Sequence, residues 1–142
     1  MGPWISLVTL GVRDLKNARA FYEEGLDWAP SGASNADIVY FRLGALVLAL
    51  HPRRVLAAEA GLGDYGRGFD GVTLSHYVAS RGAVDDALRQ AAGAGGTILK
   101  SGREMPWGGY SGHLADPDGH VWEIAWNPNF RLKRDGRLLL PK

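Results

Sequence analysis

Residues 115 to 128 read ADPDGHVWEIAWNP. Pro117 sets φ for the second position of a tight turn, Asp116 can bond back to the backbone from the first, and Gly119 suits the last. The segment therefore predicts a hairpin turn and a returning strand. Side chains along that strand alternate, so Val121, Glu123 and Ala125 share one face and His120, Trp122, Ile124 and Trp126 the other. The second set is an apolar stripe suited to packing under helices. Glu123 is left on the opposite face, a carboxylate among small or apolar neighbours.

Counting His113 as well, five potential ligands (His113, Asp116, Asp118, His120 and Glu123) fall within eleven positions. A catalytic metal needs side chains converging on one point, usually from separate elements. Turn chemistry accounts for Asp116 and Asp118 without a metal, and alternation points His120 away from Glu123. His51, just before Pro52, and His113 read as surface or rim residues, and His76 as a hydrogen-bonded core or rim histidine.

Working outward, ISLVTLGV (5–12) is apolar and β-branched, which predicts a strand covered mostly on both faces. DLKNARAFYEEGL (14–26) places Leu15, Ala18, Phe21 and Tyr22 at helical spacing, with Asp14 as N-cap and Gly25 as the stop. ADIVYFRLGALVLALHP (36–52) predicts two strands joined near Leu43 and Gly44. Residues 53–70 open with a short helical turn, become Gly-rich and form a linker; GLGDYGRG within them lacks the flanking strand and helix of a phosphate loop. A second round begins with GVTLSHYV (71–78), then a helix capped by Ser80 with Val84, Ala87, Leu88 and Ala91 as its buried stripe. TILK (97–100) is a short strand, REMPWGGYSG (103–112) a loop, and 113–128 a hairpin. The order strand, helix, strands occurs twice, and VTL opens both rounds at 8–10 and 72–74.

Length and composition fit this picture: 142 residues, 46% hydrophobic, 22% charged, suffice for one domain of two small halves. Sixteen basic against fifteen acidic residues leave a formal charge of +1, so no overall field favours nucleic acid or anionic membrane. The absence of cysteine removes disulfides, zinc thiolates and cysteine nucleophiles. No stretch approaches the roughly 20 apolar residues of a spanning helix. A cytoplasmic protein whose partners are small molecules or other chains is expected. In the basic tail, Arg131, Lys133, Arg134, Arg137 and Lys142 flank Leu138 to Leu140, predicting an edge extension packed on this subunit or a neighbour.

VTLGVRDLKNARAFYEEGL near the start, the Gly-rich middle and ADPDGHVWEIAWNP near the end resemble the vicinal oxygen chelate superfamily of glyoxalases, bleomycin-resistance proteins and extradiol dioxygenases, over residues 5 to 128. The resemblance implies an α+β fold of paired βαβββ modules forming a cupped mixed sheet with helices outside, and commonly a homodimer. Module one would span about 4–52, module two about 71–128, and a C-terminal extension 129–142. Metal-dependent members place ligands at positions that fall here on Leu7, Ala49, Thr73 and Glu123. Only Glu123 keeps a ligand, since Leu and Ala cannot coordinate a cation and a Thr hydroxyl is a poor ligand by itself. No metal and no other cofactor are expected.

The inward face of the cup would then carry Leu7, Thr9, Thr73, Ser75, Tyr77 and Glu123, apolar walls with a few hydroxyls and one carboxylate, as small-molecule pockets are usually built. Trp107 and Tyr110, on a Gly-Gly hinge, would sit near its mouth and stack on a planar ligand. Glu123, desolvated there, could serve as a general base, bind a cationic ligand or pair with Arg103. The expected function is metal-free binding of an aromatic or amphipathic molecule by sequestration, as in bleomycin-resistance proteins. The alternatives are a glyoxalase- or dioxygenase-type enzyme with an unusual ligand set, and a metal-free isomerase or lyase using Glu123 as base.

Overall fold

The computed structural model describes residues 5–66, 68–70 and 72–139. Gly71, at the expected start of the second round, and Leu140 and Lys142 of the tail lie outside the described residues.

Module one runs β1 (Leu7–Val12), α1 (Leu15–Arg19), a π-helical continuation (Ala20–Gly25), β2 (Val39–Leu43) and β3 (Leu46–Pro52). Asp14 caps α1 by accepting the Asn17 N–H at 3.0 Å. The sheet order is β1-β3-β2, with β1 parallel and β2 antiparallel to β3. The strand ahead of β2 is reduced to one antiparallel bridge, Pro30 to Phe41. Ser31, Ser34 and Asn35 bond instead to nearby backbone N–H groups, a local alternative to sheet pairing. Two-sided cover of β1 is confined to Leu10–Val12, and Leu7 is 41% exposed. The cause is α2 (Arg53–Glu59), which caps only that end; a Cβ on Gly11 would stand 3.2 Å from Arg53.

Module two runs β4 (Thr73–Tyr77), α3 (Arg81–Gly93), β5 (Thr97–Glu104), β6 (Tyr110–Ala115) and β7 (Val121–Trp126), ordered β4-β7-β6-β5 with β4 parallel to β7. Ser80 caps α3 through the Ala83 N–H, and Val84, Leu88 and Ala91 are buried. The expected loop at 103–112 is corrected: Arg103 and Glu104 end β5, Tyr110 to Gly112 begin β6, and only Met105–Gly109 form the turn. β5 bulges between Ile98 and Lys100 and again between Lys100 and Arg103, which breaks the period of two that marks a strand in sequence. The tail forms a small hairpin, β8 (Arg131–Leu132) and β9 (Leu138–Leu139). Its turn sits on the β2–β3 turn of the same chain, where a Cβ on Gly44 (φ 59°) would come within 2.6 Å of the Asp135 carbonyl.

The helix-facing sides of both sheets share one core. Leu10, Val39, Phe41, Leu48 and Leu50 from module one join Leu114, Trp122 and Ile124 from module two around Phe21 and Tyr22. Trp126 continues the predicted stripe beneath α3, with the Arg81 guanidinium 4.3 Å from its ring. Among the described residues no helix is long and apolar enough to cross a membrane.

A buried polar network fastens the modules. The Tyr22 hydroxyl donates to Asp116 Oδ2 at 2.7 Å and accepts from Trp122 Nε1–H at 3.1 Å. Asp116 Oδ1 accepts the N–H groups of Asp118 and His120, both at 2.9 Å. Burial, reinforced by the Asp116 charge, pushes the Tyr22 hydroxyl well above the usual phenol range and keeps it a donor. Asp118 Oδ1 accepts the Arg13 N–H at 2.8 Å, and His120 donates from Nε2 to the Gly11 carbonyl at 2.8 Å. The Tyr22→Phe variant strands a buried carboxylate oxygen and an indole N–H, each costing about 1–3 kcal/mol. The expected loss is about 2–4 kcal/mol, read as a lower urea midpoint at unchanged slope; an unshifted midpoint would show that the network carries no stability.

Candidate functional site

Sequence placed the site on the sheet faces away from the helices. The structure splits those residues between the modules. Thr73, Ser75 and Tyr77 lie on β4 in register with Val121, Glu123 and Ala125 of β7. Leu7 instead lines a shallow depression of module one with Tyr40 and Val47, and Thr9 a separate cavity beside Phe69 and His120. Tyr110 is also corrected: it faces α3, with its hydroxyl donating to Asp85 at 3.1 Å, because β6 alternation sends it to the helix side. Trp107 lies at the tip of the β5–β6 turn against Gly109, 41% exposed.

Glu123 is half-buried, and its Oε2 accepts the Ser75 hydroxyl at 2.8 Å. Its charge helps burial raise the Tyr77 phenol, which places Tyr77 within its field. Glu123, His113 and Lys100 lie abreast on β7, β6 and β5, so Ser75, Glu123, His113 and Lys100 form one row across the sheet. Arg103 lies opposite Ser111, on another row, and among the described residues Glu123 makes no ion pair. His51 donates from Nδ1 to the Asp37 carbonyl at 2.9 Å.

Thr73, Ser75 and Tyr77 belong to the rim of a cleft between the modules, about 530 Å³ in volume. Its walls are Val8, Leu48 and Leu74, with Trp28 and Trp122 set edge to face, 5.8 Å between ring centroids. His76 stands at the edge, exposed on one side and crowded by apolar groups on the other; that desolvation lowers its pKa and favours the neutral ring. Arg42 and the Asp135–Arg137 ion pair of the tail hairpin close the far side.

Trp28, Trp122 and His76 were not read from the sequence as site residues. Trp28 lies beyond the expected helix stop. The π-helical turn and Asp27, held left-handed at φ 58°, bring the chain back so that the Trp28 N–H bonds the Tyr22 carbonyl at 3.0 Å. Its ring then packs on Tyr22 and Phe41 at 5.4 and 5.9 Å. A Trp three residues after a helix-ending Gly was the available signal. Trp122 was assigned to the core stripe; it is core on one side and cleft wall on the other.

Two modules with parallel β1–β3 and β4–β7 edges around one helical core define a paired-module α+β fold. The chain belongs to the Glyoxalase/Bleomycin resistance protein/Dioxygenase superfamily, whose family model matches residues 4–124. A glyoxalase-related enzyme from Fulvimarina pelagi is similar at 33% identity, with 99% of each chain covered and a TM-score of 0.89. A glyoxalase/bleomycin resistance protein/dioxygenase family enzyme from Burkholderia phytofirmans PsJN shares 22% identity over 85% of this chain and 96% of its own, TM-score 0.74. A lactoylglutathione lyase from Agrobacterium tumefaciens shares 20% over 89% and 95%, TM-score 0.67. These last two show likeness of fold alone. No curated protein sequence matches the chain.

The family's metal positions do not fit a cation here. Leu7 and Ala49 present only carbon, and Ala49 is fully buried; Thr73 adds a hydroxyl and Glu123 one carboxylate already bonded to Ser75. Among the described residues no three His, Cys, Asp or Glu side chains cluster as a metal site. After incubation with nickel, zinc, manganese or ferrous iron and desalting, metal per chain should stay below about 0.1 equivalent. One equivalent lost in Glu123→Gln would reverse this reading.

Proposed function

We propose that this chain is a metal-free small-molecule binding protein that sequesters an aromatic or amphipathic ligand in the cleft between its modules, acting in the cytoplasm as a homodimer. The observation that carries the reading is the 530 Å³ cleft, within the size range of small-molecule sites and walled by two tryptophans and aliphatic side chains, with hydroxyls, His76 and charged groups of Arg42, Asp135 and Arg137 around them. Affinity in such a site comes from apolar area removed from water. The hydroxyls of Thr73, Ser75 and Tyr77 and the ring of His76 orient what enters. Exposed Ile5 and Leu7 at the start of β1, 71% and 41% accessible, support burial against a second copy. Light scattering should give twice the chain mass; a monomer at every concentration would remove the dimer.

The bond between Ser75 and Glu123 favours one second reading, in which Glu123 is the base of an isomerase or lyase step. Both readings are tested by following tryptophan fluorescence while titrating planar aromatic and amphipathic compounds. Saturable quenching is expected, weakened about tenfold in Trp28→Leu, where aromatic stacking and wall area are lost. Quenching identical in that variant would place the ligand elsewhere. Glu123→Gln should leave binding intact; turnover of a bound compound that this change abolishes would establish the second reading.

A further inference from the structure

Beyond the Trp28–Trp122 pair lies a second, smaller cavity. It has a volume of about 80 Å³ and is lined by Phe21, Leu26, Ala87, Ala91, Leu114 and Ile124, with Gln90 at its edge. Three residues, Trp28, His76 and Trp122, line both this chamber and the 530 Å³ cleft. The two spaces therefore share a wall made of two indoles and one imidazole. Glu123 lines neither, although Ser75, which donates to it, stands on the rim of the larger.

The two chambers differ in what they can hold. At roughly 30 Å³ per small group, 80 Å³ takes about three methylenes, and it is about half of the 150 Å³ cavity that admits a benzene ring. The small chamber thus suits the end of an unbranched chain and excludes a ring. Its aliphatic and aromatic lining offers a polar end group only His76, on the wall shared with the cleft, and Gln90, whose amide donates to the Gly25 carbonyl at 3.2 Å. The large chamber carries the charge. Arg137 is paired with Asp135 at 2.8 Å, whereas Arg42 has no ion pair among the described residues. One uncompensated guanidinium at the mouth favours a carboxylate, which it can hold through two parallel hydrogen bonds.

Resting on the cleft reading above, we infer that the two chambers form one site and that its ligand class is a medium-chain aliphatic carboxylate, its head near Arg42 and its chain end passing Trp28, His76 and Trp122 into the small chamber. The head stays at the wet mouth, so the chain alone is desolvated. Selectivity for length then follows from the small volume at the chain end, and selectivity for charge from Arg42.

The test uses the full chain, n-alkanoates from about four to about ten carbons and the matching n-alkanols, with binding read by tryptophan fluorescence and calorimetry. Alkanoate affinity should rise about fourfold per methylene and level off once the small chamber is filled. Ala87→Leu, on the half-buried wall of that chamber, should move the levelling point about two carbons shorter while leaving short chains unaffected, since a Leu adds about three carbons to the lumen. Gln90→Leu, at an exposed position on the same wall, supplies a second narrowing variant if Ala87→Leu fails to fold. Arg42→Gln should bring the alkanoate to alkanol affinity ratio from about tenfold down to near one. Affinity independent of chain length, or lowered equally for all lengths by the narrowing variants, would overturn the joined site. An unchanged alkanoate to alkanol ratio in Arg42→Gln would overturn the carboxylate assignment. In either case, retained quenching by planar aromatic probes leaves the cleft reading standing, whereas loss of response to every probe overturns both.

Discussion

The hydroxyl of Tyr22, held between Asp116 and the indole of Trp122, is the contact on which the arrangement of this molecule depends. It joins the helix of module one to the turn and last strand of module two, across 94 and 100 residues of chain. The Tyr22 hydroxyl, both Asp116 carboxylate oxygens and the Trp122 indole N–H all have partners, which is the condition under which a buried polar cluster specifies one geometry and does not simply cost stability. The Asp116–Gly119 turn thus has two tasks. It closes the β6–β7 hairpin, and through Asp118 and His120 it also grips the end of β1. Shifting that turn would move Trp122 relative to Trp28 and reshape the cleft wall.

Close packing on one side of the helices and open space on the other follow from residue size. Gly25 meets Ala94 so closely that a Cβ there would overlap it, and a Cβ on Gly96 would stand 3.1 Å from the Phe21 ring. Small residues let the end of the π-helical segment and the end of α3 touch. Where Trp28 and Trp122 meet, two large rigid rings hold the modules apart. Flat aromatic side chains do not interdigitate as aliphatic ones do, and space beside them is left on both sides of the pair.

Much of the fold was legible because its signals are local. Asp14 and Ser80 are caps readable from one residue and its neighbours, and the stripe Val84, Leu88, Ala91 follows the helical period. In the strand from Val121 to Trp126 the alternation correctly placed Trp122 and Ile124 in the core, although Ala125 on the other face is buried as well. What escaped reading was non-local or irregular. The π-helical turn leaves no mark in periodicity, and the bulges of β5 hid two of its residues, Arg103 and Glu104, in an apparent loop. Tyr110 was misplaced for the same reason: once the loop is a strand, alternation turns it toward Asp85. The candidate site was legible only in half, since Ser75 and Glu123 could be put on one face by counting, whereas the module pairing that creates the cleft rests on side chains distant in sequence.

The chemistry left to this chain follows from what its inner faces carry. A cation would bind substrate oxygens by charge and tolerate variety in the rest of the molecule. On the proposed metal-free reading, carbon at Leu7 and Ala49 withholds that source of binding energy, and the Glu123 carboxylate is bonded by a neutral hydroxyl. Recognition would then come from shape, from apolar area and from fixed polar groups. A neutral imidazole such as His76 offers one donor and one acceptor without the cost of burying an ion. On the proposed reading, binding strength scales with the apolar area a ligand brings, and selectivity is set by the volumes on either side of the two tryptophans. On the same reading, the latch at Tyr22, by fixing the distance between those rings, also sets which molecules fit.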